Sequence, residues 1–414
     1  MFRKLLSFDE AKEAIEKTLQ PKTLGIEEVL LLEAYNRVLA EEAISTLDIP
    51  PFNRSTVDGF AVKSEDTFGA TENEPAKFKV CGVVNIGEPP GVTVGKREVA
   101  EIVTGAPLPE GADAVVMVED TNKSGAELSV FESVTPDENV QKKGSDIRNG
   151  EIILKPGRSL GSREIGVLAA LGREKIDVYK IPNVAVLSTG DEVMELGRSL
   201  LPGKIYDINA YSLSIAVRES GGKPVYAGVV PDKKVELHKA LRRALNLSDV
   251  VLTSGGVSVG PKDIIPNIVD SLGKPGVFIS GISVKPGKPA TVALIGKKPV
   301  FSFPGNPTSA LMIFQLFARP VIQAMAGKLA EEAPTVKAIA EKRMFSAKGR
   351  RTFVTVTLKK NKQTKLVTAE PVGTGASGAI TTLAKADGFV AIPENTQFVD
   401  AGEEVAVFLL KATG

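Results

Sequence analysis

Three stretches decide the fold: NVAVLSTGDE at 183–192, DVVLTSGGVSVG at 249–260 and KPVFSFPGNPTSA at 298–310. Each is a short apolar run that ends abruptly in small or polar residues. Runs of this length, rich in Val and Leu and bounded by Gly, Ser and Pro, predict buried strands. The segments between them carry helical spacing. VAVLSTG leads to a helix over 208–220 that stops at Gly221-Gly222. PVYAGVV (224–230) leads to a helix over 233–245, and DVVLTSGG to one over 262–272. Two β runs follow, VFISGISV (277–284) and ATVALI (290–295), and PVFSF (299–303) leads into a helix that begins at Pro307. Strands buried on both faces, alternating with helices, predict an α/β domain with a mostly parallel sheet over 182–330.

Outward from this core the pattern changes twice. Towards the N-terminus, Ser7 and Glu10 form the signature of a capping box, which predicts a helix over 7–19 within an N-terminal segment, 1–26, packing on the α/β domain. Residues 26–43 read as a second helix with Leu31, Leu32, Tyr35, Val38 and Leu39 on its apolar side. Residues 47–146 hold short runs, FKVCGVV, AEIVTG, AVVMVED and LSVFESV, between Gly/Pro turns, which predicts a small β-barrel or β-sandwich, an inserted β-barrel-like domain. Segments 27–46 and 147–181, including the helical SREIGVLAALG, form a linking α+β module, and 331–414 a small C-terminal β domain. The expectation is an α/β plus β multidomain protein, as a chain of 414 residues requires.

Composition narrows the chemistry. There are 51 basic and 50 acidic residues, a net charge of +1, which leaves no electrostatic footprint for nucleic acid. No run approaches the ~20 apolar residues of a membrane span. The opening MFRKLLSFDEAKEAIEKTL lacks the continuous apolar core of a signal peptide, so the expected location is the cytoplasm. The single cysteine, Cys81, excludes an internal disulfide and a Cys-rich zinc site. The single histidine, His238, sits in an amphipathic helical pattern as a surface residue, which argues against histidine-based catalysis. Carboxylates, lysines and backbone N–H groups are left to handle phosphates, anions and metal ions.

Ligands of open α/β sheets bind beyond the carboxyl ends of the strands. Here those ends read Ser188-Thr189-Gly190-Asp191-Glu192, then Pro231-Asp232, then Ser254-Gly255-Gly256-Val257-Ser258 with Asp263 opening the next helix, then Pro304-Gly305-Asn306-Pro307-Thr308-Ser309. Small residues admit close approach of a ligand to the backbone, and the helix starts at Asp263 and Pro307 present free N–H groups suited to phosphate. Asp191, Glu192, Asp232 and Asp263 supply hard oxygen ligands suited to Mg²⁺. Lys285-Pro286-Gly287-Lys288-Pro289 places two lysines on a stiff turn, a cationic hook for an oxyanion or phosphate. The plainer readings are helix caps for Asp232 and Asp263, a tight turn for Gly255-Gly256 and a solvated turn for the lysines.

Eight motifs in order, PPFNRSTVDGFAV (50–62), VTGAPLPEGADAVV (103–116), KGSDI (143–147), STGDE (188–192), IYDINAY (205–211), SGGVSVGPKD (254–263), KPGKP (285–289) and FPGNPTSA (303–310), resemble the molybdopterin molybdenumtransferase family, which includes the C-terminal domain of gephyrin. After 330 only KGRRTFV and GTGASGAI look familiar, and Pro261-Lys262 stands where relatives often carry an acidic or aromatic neighbour of the aspartate. The resemblance implies a four-part homodimeric enzyme that takes adenylylated molybdopterin and molybdate or tungstate, uses Mg²⁺ and releases AMP. It implies catalytic roles for Asp58, Thr104, Asp146, Glu192, Asp232 and Asp263, with Glu192, Asp232 and Asp263 towards the metal. It implies substrate binding by the small residues at the strand ends and by Lys285, Lys288, Pro304, Pro307, Arg350 and Ser377. It also implies a site shared between two subunits, and a molybdopterin adenylyltransferase as upstream partner. Three other readings remain: an adenylyltransferase using the same α/β domain, which the inserted domain, the KPGKP turn and the C-terminal domain disfavour; a non-enzymatic scaffold, which the retained acidic residues disfavour; and a generic nucleotide-binding module.

Overall fold

The computed structural model describes residues 5–257, 264–329, 334–360, 366–372 and 380–410. The chain forms two compact units. One comprises residues 41–156 and 162–174, and the other the remainder. In the second unit, α1 (Phe8–Leu19) begins at Ser7, whose hydroxyl accepts from the Glu10 N–H while the Glu10 carboxylate accepts from the Ser7 N–H. The expected capping box is therefore present. A strand follows, β1 (Ile26–Leu30), and then a single 3-10 turn at Leu31–Ala34. This corrects the helix expected over 26–43. β1 pairs antiparallel with the distant segment Lys175–Tyr179, and that ladder overrides the local helical spacing. Leu32 and Tyr35, assigned to an apolar face, are 87% and 64% exposed, whereas Val38 and Leu39 are buried.

The inserted unit is built on six strands, β2 (Gly59–Val62), β3 (Ala76–Val84), β4 (Glu98–Ile102), β5 (Ala114–Met117), β6 (Thr121–Ser124) and β7 (Glu127–Val130), in the order β5-β2-β4-β3-β7-β6. Only β3 and β4 run parallel. Alternate residues feed two apolar clusters: Phe60, Val62 and Val116 lie in one, Ala61 and Val115 in the other. The sheet has no ladder joining β5 to β6, so this unit carries an open sheet where a barrel-like closure was expected. Short alternating strands with Gly/Pro turns serve both architectures, and only the pairing of the last strands separates them. A helix, α2 (Ser162–Ala170), completes the unit.

After β8 (Lys175–Tyr179) the main sheet begins: β9 (Asn183–Thr189), α3 (Asn209–Glu219), β10 (Lys223–Val230), α4 (Lys234–Leu247), β11 (Val250–Ser254), α5 (Ile265–Ser271), β12 (Pro275–Ser280), β13 (Val284–Lys285), β14 (Thr291–Ile295), β15 (Lys298–Phe303), α6 (Pro307–Ile313) and α7 (Arg319–Met325). The sheet order is β10-β9-β11-β15-β14-β12. Its first four strands are parallel, and β14 and β12 add an antiparallel edge. Val184, Val186, Val250 and Leu252 face α1, α3, α6 and α7, in one core with Ala11, Ile15, Leu213 and Phe317. Ala185, Leu187 and Val251 face α4 and α5, with Leu241 and Ile268. Both faces are covered, which is why these strands read as continuous apolar runs.

The C-terminal strands are β16 (Thr335–Ala340), β17 (Arg351–Lys360), β18 (Val367–Pro371), β19 (Gly388–Ile392) and β20 (Glu404–Leu409). They pair in the circuit β17-β18-β16-β20-β19 and back to β17, a closed five-stranded barrel. The barrel is tied to its neighbours in two ways. β13 adds in parallel to β17, with Lys285 opposite Thr352. The Arg351 guanidinium makes a two-pronged contact with Asp9 of α1 at 2.9 Å on each prong, bonds Glu394 at 3.0 Å and lies over the Phe8 ring. No helix among the described residues is long and apolar enough to cross a membrane. Replacing Arg351 by Met keeps the stem and removes the fork. Because Asp9 is 68% exposed, we expect a loss of only about 1 kcal/mol, read as a lower urea midpoint with an unchanged slope.

Candidate functional site

The strand ends of the main sheet are held by polar contacts between loops far apart in sequence. Ser188 and Thr189 close β9 and are each only 2% exposed. The Ser188 hydroxyl donates to Asp207 at 2.8 Å, and the Thr189 hydroxyl to Asp232 at 2.5 Å. The Asp232 N–H donates to Asp191 at 3.2 Å. The Asp191 carboxylate after β9 is thus tied to the backbone of Asp232 after β10, and both residues are exposed. The Glu192 carboxylate folds back over Gly190, lying 2.8 Å from where a Cβ would stand there. The Lys204 ammonium donates to the carbonyl of Asp191.

Gly255 adopts a φ of +102°, and a Cβ there would stand 2.1 Å from the Thr189 carbonyl oxygen. Only glycine permits that approach. Gly256 follows at +63°, facing Ile265. Gly305, in the loop after β15, lies against the Cα of Gly255, 4.0 Å from its own Cβ position. Asn209, the first residue of α3, reaches both loops: its amide nitrogen donates to the Ser254 hydroxyl at 2.6 Å and to the Gly305 carbonyl at 2.7 Å. Pro304 is buried, Asn306 is exposed, and Pro307, Thr308 and Ser309 begin α6. A cleft of about 500 Å³ adjoins this edge, lined by Gly190, Asp191, Met194, Arg198, Lys204 and Pro231 among others. A slightly larger cleft, 560 Å³, lies along the flank between β10 and α4. It is lined by neither Asp191 nor Asp232, whereas the first is lined by Asp191.

The KPGKP turn packs on α6. Gly287, at a φ of +107°, leaves no room for a Cβ beside the Ile313 side chain. Lys285 is exposed and Lys288 half-buried. The β13–β17 ladder sets Arg350, one residue before β17, beside this turn, and the Ser283 hydroxyl donates to the Gly349 carbonyl at 2.9 Å. Neither lysine nor Arg350 is paired with a carboxylate among the described residues. The Arg350 backbone thus stands level with Ser283, just before the turn.

In the inserted unit, Asp58 and Thr104 meet directly. One Asp58 oxygen accepts from the Thr104 N–H at 2.7 Å and from its hydroxyl at 2.8 Å. The backbone bond first, and the hydroxyl second, hold this carboxyl below its ordinary value. Asp146 is exposed, and its loop is laced to the first motif through Gly144 N–H to the Pro50 carbonyl and Lys143 N–H to the Asn53 side chain. The first and second motifs join through Ser55 and Gly105. Three of the eight motifs therefore form one surface of this unit.

Ser258, Asp263 and Ser377 lie outside the described residues. Among the described residues no group of three or more His, Cys, Asp or Glu is placed to hold a metal ion. Asp207 and Asn209 are contacts for which sequence reading assigned no role. The only signal was their place in IYDINAY.

Three family models match the chain: the MoeA N-terminal region (domain I and II) over 6–172, the probable molybdopterin binding domain over 185–324 and the MoeA C-terminal region (domain IV) over 337–410. A protein of Methanocaldococcus jannaschii, named for molybdopterin biosynthesis, is 36% identical over 93% of this chain and 92% of its own length. The molybdopterin molybdenumtransferase of Nostoc sp. is 33% identical over 92% of this chain and 88% of its own. A molybdopterin biosynthesis MoeA protein of Pyrococcus horikoshii matches in structure with a TM-score of 0.86 at 40% identity, over 99% of this chain and 100% of that one.

Asp58 stabilises the fold above its unfolded-state pKa, and that contribution is lost as pH falls through the lowered folded value. Thr104→Val removes the hydroxyl bond and keeps the backbone one. Its NMR titration should place Asp58 partway back towards the ordinary value of 3.8, and an unmoved titration would deny the hydroxyl its part.

Proposed function

The chain belongs to the molybdopterin molybdenumtransferase family, and from that premise we propose that it inserts molybdate or tungstate into adenylylated molybdopterin with Mg²⁺, releasing AMP. The observation that carries the reading is the pair Lys285 and Lys288, without carboxylate partners among the described residues, on a turn packed against α6, with Arg350 just before the strand that pairs with β13. Two lysines on a stiff turn suit a small dianion.

The nucleotide-bearing substrate needs a different surface. Gly255, Gly256 and Gly305 bare the backbone along the strand ends, so that a phosphate chain can approach N–H groups. Asp191 and Asp232 are adjacent, and each keeps a carboxylate oxygen that no contact given above uses. That donor set suits Mg²⁺, which takes one or two carboxylates and completes its shell with water and substrate phosphate. Glu192, folded over Gly190, and Asp263 complete the acidic set in the family reading. Bound there, Mg²⁺ would supply charge neutralisation on the phosphoanhydride. The chain's own residues hold the substrate's phosphates along the strand ends and the oxyanion at the lysine hook. Asp58 and Thr104 belong to the proposal as the inserted unit's contribution, with the dimer and the cytoplasmic setting that the sequence reading implied.

Lys285→Gln with Lys288→Gln removes two charge-assisted contacts, so the molybdate concentration for half-maximal insertion should rise at least about tenfold. Binding of the adenylylated pterin should change little. An unchanged molybdate dependence would reduce KPGKP to an ordinary turn. Incubation with free pterin, ATP and Mg²⁺ separates the adenylyltransferase reading, which alone expects the adenylylated product. The shared-site dimer is tested by complementation: inactive Asp58→Ala and inactive Asp232→Ala chains are mixed and allowed to exchange. One intact site per heterodimer should restore about half of wild-type activity, whereas no recovery after confirmed exchange rejects the shared site.

A further inference from the structure

We propose that Asp207 and Asn209, at the start of α3, are positioning residues that set the spacing of the strand-end loops and thereby the affinity for the adenylylated pterin. The proposal rests on the functional reading above. Between them these two side chains touch elements from four strands of the main sheet. Asp207 accepts from the Ser188 hydroxyl at the end of β9 at 2.8 Å, from the Ala210 N–H in the first turn of α3 at 3.0 Å, and from the Tyr226 hydroxyl on β10 at 3.5 Å. Asn209 donates to Ser254, the last residue of β11, and to Gly305, in the loop that follows β15. Ser254 passes the link on, its hydroxyl donating to the Pro304 carbonyl at 3.4 Å.

Neither residue is placed as stability alone would place it. Asp207 is a carboxylate only 3% exposed, with no cation paired to it among the described residues. Burying such a charge is costly, and neutral donors offset only part of that cost. Helix capping by itself is served as well by Asn or Ser. What a carboxylate adds is acceptors on both oxygens, so Ser188 and Tyr226 must both act as donors towards it. Burial first, and the Asp207 charge second, push the Tyr226 hydroxyl up, which keeps it protonated and donating.

Asn209 is 8% exposed, and its side-chain oxygen is buried with no hydrogen-bond partner among the described residues. A buried acceptor left unpaired costs stability. The two N–H groups of the same amide are both used, and both go to loops built on glycine. A Cβ at Gly305 would stand 4.0 Å from the Gly255 Cα, and neither glycine has a side chain to hold the gap. The planar amide, with its two N–H directions fixed, is the element that ties one loop to the other. The unpaired oxygen is the cost of having that tie at this point.

The test uses the full chain. Asn209→Ala removes the tie and the unpaired oxygen together, so its losses and gains in stability oppose each other. We expect the melting temperature to move by no more than roughly 4 °C while the dissociation constant of adenylylated molybdopterin, measured anaerobically, rises at least about tenfold. The molybdate requirement should stay near wild type, since the lysine hook is held separately by β17 and α6. Asn209→Ser, a milder change, should shift the pterin constant in the same direction. Asp207→Asn keeps an acceptor for Ser188 and Ala210 and loses the one for Tyr226, so it should weaken pterin binding, and Asp207→Ala should weaken it further. A merely structural role expects falling melting temperatures with unchanged pterin affinity in the folded fraction. Pterin affinity within twofold of wild type in folded Asn209→Ala or Asn209→Ser would overturn the assignment. A wild-type chain that neither binds the adenylylated pterin nor inserts molybdate would bring down the functional reading and this inference with it. Wild-type binding matched by equal binding of the variants would bring down the inference alone.

Discussion

The approach of Gly255 to the carbonyl of Thr189 is the constraint on which the strand ends depend. No residue with a Cβ fits there, and the positive φ confines the position to glycine. The close approach lets the ends of β9 and β11 lie side by side with their backbones bare. It also removes the side chains that would ordinarily pack such loops into shape. Their shape comes instead from polar ties: Thr189 to Asp232, Ser188 to Asp207, Asn209 to Ser254 and Gly305. Backbone exposed for a ligand and side chains that fix the exposed backbone are two halves of one arrangement.

What was legible in the sequence follows from the range of the interactions involved. The α1 capping box is complete within four residues and was readable as written. The main sheet was readable because burial on both faces leaves unbroken apolar runs, and the helices between them keep their own period. The strand at 26–30 was not, since its partner lies about 150 residues away and its own spacing also fits a helix. The open sheet of the inserted unit was read as barrel-like for a related reason: closure is decided by one pairing between terminal strands. The candidate site divides in the same way. Gly255, Gly305 and the lysine turn announced themselves through residue type. Asp207 and Asn209 did not, because their contacts, apart from the local one with Ala210, span 19 to 96 residues and leave no period.

A net charge near zero conceals local segregation of sign. The acidic rim of Asp191 and Asp232 and the cationic turn with Arg350 are separate features of one unit, built on different loops. For a chain whose proposed reactants are both anionic, this separation matters more than total charge. Carboxylates beside the phosphates would repel them without a divalent cation, whereas the lysine turn needs none. On the proposed function, the two surfaces divide the substrates by the counter-charge each requires.

The lysine turn also shows why domain boundaries drawn from sequence miss part of a site. Lys285 falls within the α/β region by position, yet its strand pairs with β17 of the barrel. Arg350, at the start of that barrel strand, is set beside the turn by the same ladder. Arg351, one residue on, is gripped by Asp9 of α1, 342 positions earlier in the chain. The N-terminal helix, the α/β sheet and the barrel thus meet within a few residues of one cationic turn. A site assembled this way is sensitive to how the barrel is seated, and its geometry is a property of the packing of three segments. That gives the barrel a physical reason to be attached to the sheet, independent of any contact its own side chains make with a ligand.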